Sequence, residues 1–203
     1  MKDLLKLSND FLKIANTGDV FVYTFVPKEG LNIIKDIGIL SSALVVENKK
    51  VLNLIRPDKK SRDKFINSVK DDLNNEENAF FANSVSVFFT LPDFEKMSLN
   101  HFIFKRNLVP LRINLNHMCK DDKNIKMYAV ELKKFDDSLS DLQNNKRREK
   151  YFTLDEVKKY TEKSPSELWK DYNPKDLKHY AADVPHLLIE TSSKCIKPKY
   201  IEL

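Results

Sequence analysis

The hydrophobic positions of this chain fall into short runs that predict a sheet. Val20–Val26 is built of β-branched and aromatic residues, is apolar on both alternating faces and ends at Pro27, which is typical of a buried strand. Four further segments have a strand pattern: Ser84–Leu91, Val109–Leu115, Lys126–Leu132 and 184–190. Because the polar loop Asn116–Asn124 joins the middle two, we expect them to form a hairpin.

Apolar residues at helical spacing, together with capping residues, predict helices between these strands. The helical spacing occurs in residues 3–15, in Leu31–Ile37 before Gly38, and in the segment that runs from Ser61 to Leu73. Thr153–Glu156 and Ser164–Glu167 each match a capping box, in which a hydroxyl and a glutamate satisfy the first backbone groups of a helix. Both boxes therefore predict short helices.

The segments Ala43–Glu47 and Val51–Ile55 are apolar but too short for a clear period. We expect short strands or irregular structure there, ending at Arg56 and Pro57. The elements together predict an α+β fold, a single domain over residues 1–203 with a split, mainly antiparallel central sheet of about six strands flanked by short helices. A chain of 203 residues is long enough to bury the core of one such domain.

Composition excludes several classes of protein. A charged fraction of 32% and a mean hydropathy of −0.48 suit a soluble chain, and no apolar run approaches the roughly 20 residues of a membrane span. We therefore expect no membrane partner. Met1–Asp10 mixes charges into its apolar positions, unlike a secretory signal. Cys119 and Cys195 form neither a disulfide framework nor a metal-ligand spacing, so we expect a reducing, cytoplasmic setting and no metal.

Charge and glycine content narrow the candidate ligands. The net charge of +5 is spread among nearly as many acidic residues, so it permits binding to a nucleic acid without implying it. The charge run 144–150 is either a solvated loop or a phosphate-contacting patch. With only Gly18, Gly30 and Gly38, the chain cannot supply a glycine-rich phosphate loop. A nucleotide would have to be held in another way.

The C-terminal strand carries the best candidates for chemistry. Asp183, His186 and Glu190 fall within eight positions of a segment that is otherwise apolar. Alternation along a strand puts His186 and Glu190 on one face, with Leu188 between them. They are either a functional pair or a strand edge, in which His186 donates to a backbone carbonyl and Glu190 points to solvent. Trp169, within a capped helix, is expected in the core.

Three segments of the chain resemble the ADP-ribosyltransferase-like superfamily, especially the DarT group and the tRNA 2′-phosphotransferases. Val22–Pro27 (VYTFVP) with Leu31–Leu40 (LNIIKDIGIL) is similar to the opening strand, helix and glycine of those families. Val87–Thr90 (VFFT) resembles the strand that lines their NAD pocket, and Ile196–Ile201 (IKPKYI) resembles the ending after their catalytic strand. The segments occur in the family's order and span most of the chain.

The resemblance implies an enzyme that uses NAD or a related nucleotide to modify a nucleic acid or a protein. It implies catalytic roles for three residues: Asp183, His186 and Glu190. A carboxylate would stabilise an oxocarbenium-like centre, and the histidine would act as a base or bind phosphate. It implies nucleotide-binding roles for five more: Tyr23, Thr24, Arg56, Ser84 and Ser86. Arg56 would clamp a pyrophosphate and Tyr23 would stack on a base.

Two departures from the family pattern keep alternative functions open. Thr24 stands where a histidine is expected, and the catalytic glutamate has no single counterpart. The main alternative is a catalytically diverged protein on the same scaffold, which binds a nucleic acid or an acidic protein through segments 49–62 and 144–150. A small hydrolase or nuclease that uses His186 and Glu190 is a third interpretation. The sequence does not specify the oligomeric state.

Overall fold

The computed structural model describes residues 18–76, 78–97, 102–130, 151–169 and 184–202. Its strands are β1 (Phe21–Pro27), β2 (Ile39–Leu40), β3 (Val85–Phe88), β4 (Leu108–Asn114), β5 (Lys126–Val130), β6 (His186–Glu190), β7 (Cys195–Ile196) and β8 (Ile201–Glu202). Its α-helices are α1 (Leu31–Ile37), α2 (Ser42–Glu47), α3 (Lys49–Ile55), α4 (Lys59–Leu73), α5 (Ala79–Asn83), α6 (Phe102–Lys105), α7 (Leu115–Asp121), α8 (Leu154–Thr161) and α9 (Pro165–Leu168). Short 3-10 turns span Lys28–Gly30 and Pro198–Tyr200.

Six of the strands form one antiparallel sheet in the order β5-β6-β3-β1-β4-β8. The strands β2 and β7 pair in a separate two-stranded sheet. This arrangement confirms the predicted α+β fold with a mainly antiparallel sheet of six strands. That one domain extends over residues 1–203 stays a prediction, because parts of that range lie outside the described residues.

The predicted hairpin is wrong, since β4 and β5 lie far apart in the sheet. The strand β4 pairs with β1 and β8, whereas β5 pairs with β6. The connecting segment, predicted as a polar loop, contains helix α7. Asn114 caps this helix by accepting from the His117 N–H at 3.0 Å, and Leu115 and Met118 are fully buried one turn apart. The helix therefore carries the chain away from β4 instead of turning it back.

The strands considered for residues 43–55 are also wrong, because that segment forms two helices. Ser41 Oγ accepts from the Leu44 N–H at 3.4 Å and begins α2. Asn48 Oδ1 accepts from the Val51 N–H at 3.2 Å and begins α3. Each N-cap satisfies a first-turn N–H that has no partner within the helix, and so favours a helix where the valines suggested a strand.

The other helix predictions agree with the structure where it describes them. Gly38 ends α1 at φ +82°, and a Cβ at this position would lie 2.1 Å from the Ile196 carbonyl oxygen, so only glycine fits against β7. Both predicted capping boxes are formed, at the starts of α8 and α9. The predicted helix 3–15, the charge run 144–150 and Asp183 lie outside the described residues. Within the described ranges, no helix is long and apolar enough to cross a membrane.

Candidate functional site

Alternate side chains of the six-stranded sheet define two faces of different chemistry. One, which we call the core face, is mainly apolar: Val22, Val87, Ile113, Leu187 and Ile189 are each at most 1% exposed. The other, which we call the site face, carries the side chains between them. It holds aromatic rings, hydroxyls and charges, and so any chemistry of the sheet belongs to this face.

A single row of side chains crosses the site face from edge to edge. The strand register places six residues side by side: Val130, His186, Phe88, Tyr23, Arg112 and Glu202. We call this set the central row. Directly opposed residues in antiparallel strands have Cβ atoms about 5 Å apart and point to the same face. The row therefore aligns two predicted site residues, His186 and Tyr23, on either side of Phe88.

Phe88 is the centre of an aromatic wall on this face. Its ring centroid lies 5.2 Å from that of Trp169, 5.8 Å from that of Phe25 and 6.5 Å from that of His186. The indole Nε1–H of Trp169 donates to the Thr90 carbonyl at 3.3 Å, which fixes the ring over the end of β3. Trp169 was predicted in the core. It is partly buried and packs against the apolar cluster that includes the core-face residues.

His186 is half-buried at the start of β6. Its Nδ1 lies 2.9 Å from the Val184 carbonyl oxygen, a contact that requires the proton on Nδ1. In the neutral ring this tautomer makes Nε2 an acceptor. This contact with a backbone carbonyl agrees with the interpretation of His186 as part of a strand edge. It also fixes the orientation of the ring, as a general base would need.

Glu190 lies at the other end of β6 and shares the site face with His186, as alternation predicted. Its register partner is Lys126, and the Lys126 Nζ lies 3.3 Å from a Glu190 carboxylate oxygen. The Glu190 side chain is 22% exposed, so it is neither deeply buried nor simply solvated. The lysine holds this carboxylate in place near the edge of the sheet.

Tyr23 and Thr24 point to opposite faces of β1. Tyr23 lies in the central row, where burial raises the pKa of its phenol, the Arg112 charge opposes that rise and the Glu202 charge adds to it. Thr24 is buried on the core face, and its hydroxyl lies 3.5 Å from the Ser86 carbonyl oxygen. The structure therefore brings Tyr23, but not Thr24, to the face that carries His186.

The remaining predicted site residues are dispersed. Ser86 is exposed on the site face, beside Leu188 of β6. Ser84 is buried, and its hydroxyl donates to the Phe80 carbonyl at 2.7 Å, which terminates α5. The Arg56 guanidinium stacks 4.9 Å from the centre of the Phe65 ring and donates to the Ile55 carbonyl at 3.0 Å. These contacts give Ser84 and Arg56 structural tasks away from the central row.

Arg112 is the residue that sequence reasoning missed. It is 2% exposed, donates through Nε to Glu202 Oε2 at 2.9 Å and through Nη2 to the same oxygen, and lies 4.2 Å above the Phe21 ring. A signal was present, because Arg112 interrupts the apolar run Val109–Ile113 at a position that one strand face must bury. Arg112 therefore places a buried guanidinium beside Tyr23, and the Glu202 carboxylate pairs with it.

A polar cavity of about 260 Å³ lies away from the central row, between α7 and the turn from β6 to β7. Asp121 accepts from Tyr200 at 3.0 Å and pairs with Lys199, and these contacts lower the pKa of its carboxyl. Burial acts to raise the pKa of Asp122, but hydrogen bonds from Ser192 and Asn124 outweigh it and the net shift is downward. Asp122 thus ties the end of α7 to the turn between β6 and β7, and Asp121 ties it to the 3-10 turn Pro198–Tyr200.

Within the described ranges, no three His, Cys, Asp or Glu residues are grouped so that they could hold a metal ion. Comparisons with protein-family models, curated proteins and solved structures found no match to this chain. The central row is therefore the candidate functional site on its own geometry.

Proposed function

We propose that this chain is an ADP-ribosyltransferase-like enzyme that binds NAD or a related nucleotide on the site face and modifies a nucleic acid or a protein. The observation that carries the proposal is the central row, in which His186, Phe88 and Tyr23 lie side by side on one face. A histidine, two aromatic rings and a positive charge are groups that bind bases and phosphates.

The dimensions of the row suit a dinucleotide better than a single base. His186 and Arg112 are separated by three strand spacings, which is about 14 Å. Phe88 and Trp169 supply aromatic rings near one end, and Arg112, paired with Glu202, supplies a guanidinium toward the other. These groups match the parts of such a ligand, and the resemblance of Val22–Pro27 and Val87–Thr90 to the family segments implies that the same two strands would contact it.

In this proposal the chain's own residues supply positioning and electrostatic stabilisation. The Glu190 carboxylate would stabilise positive charge that develops on a ribose as the bond to nicotinamide breaks. His186, whose proton on Nδ1 leaves Nε2 as an acceptor, would take a proton from the attacking group. The aromatic wall would exclude water from one side of the reacting centre.

The test is binding and turnover of NAD by the purified chain. We expect saturating NAD to raise the melting temperature and nicotinamide to be released, and we expect His186→Ala and Glu190→Ala to abolish release while the chain stays folded. His117→Ala and Glu162→Ala are matched controls, because both residues are exposed, His117 on α7 and Glu162 at the C-cap of α8, away from the site face. No stabilisation by NAD or any other adenine nucleotide would overturn the proposal.

A second candidate, a catalytically diverged binding protein, is favoured by the existing contacts of the same residues. Glu190 is already paired with Lys126, His186 already contacts the Val184 carbonyl, and Thr24 is buried on the core face. Binding to a nucleic acid or an acidic protein that weakens with salt and survives both His186→Ala and Glu190→Ala would favour this function. Loss of binding in both variants would favour the enzyme.

A further inference from the structure

Arg112 places a full positive charge inside the protein, and one carboxylate balances it. The guanidinium is 2% exposed, and an isolated buried charge is costly unless it is paired and hydrogen-bonded. Arginine remains charged at every pH at which the protein is folded. The structure must therefore keep an anionic group beside Arg112 at all times.

The group that fills this place is held much less firmly than Arg112 itself. Glu202 is 41% exposed and belongs to β8, a strand of two residues at the edge of the sheet with two register pairs. Two donations from Arg112, through Nε and Nη2, go to the Glu202 Oε2. Short edge strands of this kind open at a lower cost than the centre of a sheet.

We propose that Arg112 is an anion-binding site that Glu202 occupies from within the chain, and that a phosphate group of a ligand exchanges with the Glu202 carboxylate. The planar guanidinium fork binds carboxylate and phosphate with the same geometry, so the exchange keeps the buried charge balanced throughout. Glu202 acts as a competing internal ligand that weakens phosphate binding until β8 opens.

The surroundings of Arg112 suit a phosphate when Glu202 withdraws. The Phe21 ring lies against the guanidinium at 4.2 Å and keeps it in place from one side. Tyr23 is the register neighbour of Arg112 on β1 and points to the same face. The inference does not depend on NAD as a substrate, because it concerns any ligand that carries a phosphate.

The test compares inorganic pyrophosphate binding to the wild-type chain and to the Glu202→Gln variant, with the melting temperature followed at constant ionic strength. Glutamine keeps the size of the side chain but removes the competing charge. We expect the half-saturating pyrophosphate concentration to be about tenfold lower in Glu202→Gln than in the wild type, since the internal competitor is lost. Glu162→Gln is the control, because it removes an exposed carboxylate and makes the same change in net charge.

ADP-ribose serves as a second probe that separates a nucleotide from a free anion. Both probes should bind Glu202→Gln more tightly, and tighter binding of ADP-ribose than of pyrophosphate would assign the site to a nucleotide. Equal half-saturating concentrations of pyrophosphate in Glu202→Gln and Glu162→Gln would overturn the proposal. If Glu202→Gln does not fold, titration of the ¹⁵N-labelled wild type decides: the Arg112 Nε–H resonance must shift with pyrophosphate, and an unmoved resonance overturns the inference.

Discussion

The two faces of the central sheet are built by the same strands but differ in the burial and polarity of their side chains. Leu187 and Ile189 on the core face are fully buried among other apolar side chains, whereas His186, Leu188 and Glu190 alternate with them on the site face. The same register that aligns one set therefore aligns the other. Sequence changes on one face can be separated experimentally from changes on the other, although the residues are neighbours in the chain.

Burial differs from one part of the site face to another, so this face cannot be compared with the core face as a whole. Around Tyr23 and Phe25 it is covered by a smaller apolar cluster of Leu91, Phe94 and Ile103, and Arg112 is buried there. At Ser86 the face is open to solvent, whereas Glu190 is only partly exposed and Leu188 is buried. We therefore expect stability to depend on the Arg112 end of the central row and ligand binding to depend on both ends.

The largest loss of stability should come from a substitution on the core face. Leu187→Ala removes a side chain that is 0% exposed and leaves a cavity between β3 and β5, and we expect it to lower the free energy of unfolding by about 2–5 kcal/mol. Urea denaturation followed by circular dichroism measures this loss. Ser86→Ala, on the open part of the site face, is the control and should change stability by no more than about 0.5 kcal/mol. Equal effects of the two variants would contradict the division into faces.

A substitution at the buried Arg112 end of the site face should cause a smaller loss of stability. Glu202→Gln leaves the Arg112 guanidinium buried beside a neutral amide, and we expect a cost of about 1–3 kcal/mol in the free energy of unfolding. The partial exposure of Glu202 keeps this cost below that of breaking a fully buried ion pair.

The control for this prediction is Glu162→Gln at the C-cap of α8, which removes one exposed partner of the pair with Lys158 and should cost about 0–0.5 kcal/mol. Urea denaturation of both variants at low and high salt measures the difference. Costs that are equal, or that vanish together at high salt, would show that Arg112 does not need a partner from within the chain.

The sequence predicted best those elements that depend on a single local pattern of residues. Val20–Val26, Leu31–Ile37 with Gly38, and both capping boxes were predicted close to their observed bounds, because each depends on local residues. Segment 43–55 was missed, since its N-caps Ser41 and Asn48 lie outside the apolar runs that suggested strands. The hairpin of β4 and β5 was missed because pairing depends on where α7 directs the chain, which is a tertiary effect.

The candidate site was predicted in part for a similar reason. Alternation put His186 and Glu190 on one face, and the register confirms that placement. Alternation also separates Tyr23 from Thr24, but the family resemblance grouped them because they are adjacent in its motif. Arg112 was missed because its partner, Glu202, is 90 residues away in the chain. Only the strand order brings the two together.

The smallest change in stability should appear at alkaline pH, and it should depend on Tyr23 at the Arg112 end of the site face. The pKa of the Tyr23 phenol is raised above its ordinary value of 10.0, mainly by burial. A group whose folded-state pKa is raised stabilises the protein fully below the unfolded pKa, and this contribution is lost as the pH rises through the folded pKa. We expect stability to fall from about pH 10 upward as the buried phenol loses its proton.

Tyr23→Phe removes this ionisation, so the variant should lose less stability than the wild type between neutral and strongly alkaline pH. At neutral pH the substitution should cost no more than about 1.5 kcal/mol, the value of one hydrogen bond. Burial also raises the pKa of the Cys119 thiol and of the Tyr200 phenol, so the difference between the two pH profiles, measured by urea denaturation, isolates Tyr23. Parallel profiles would mean that the Tyr23 phenol is not buried beside Arg112, and that the site face is open along its whole length.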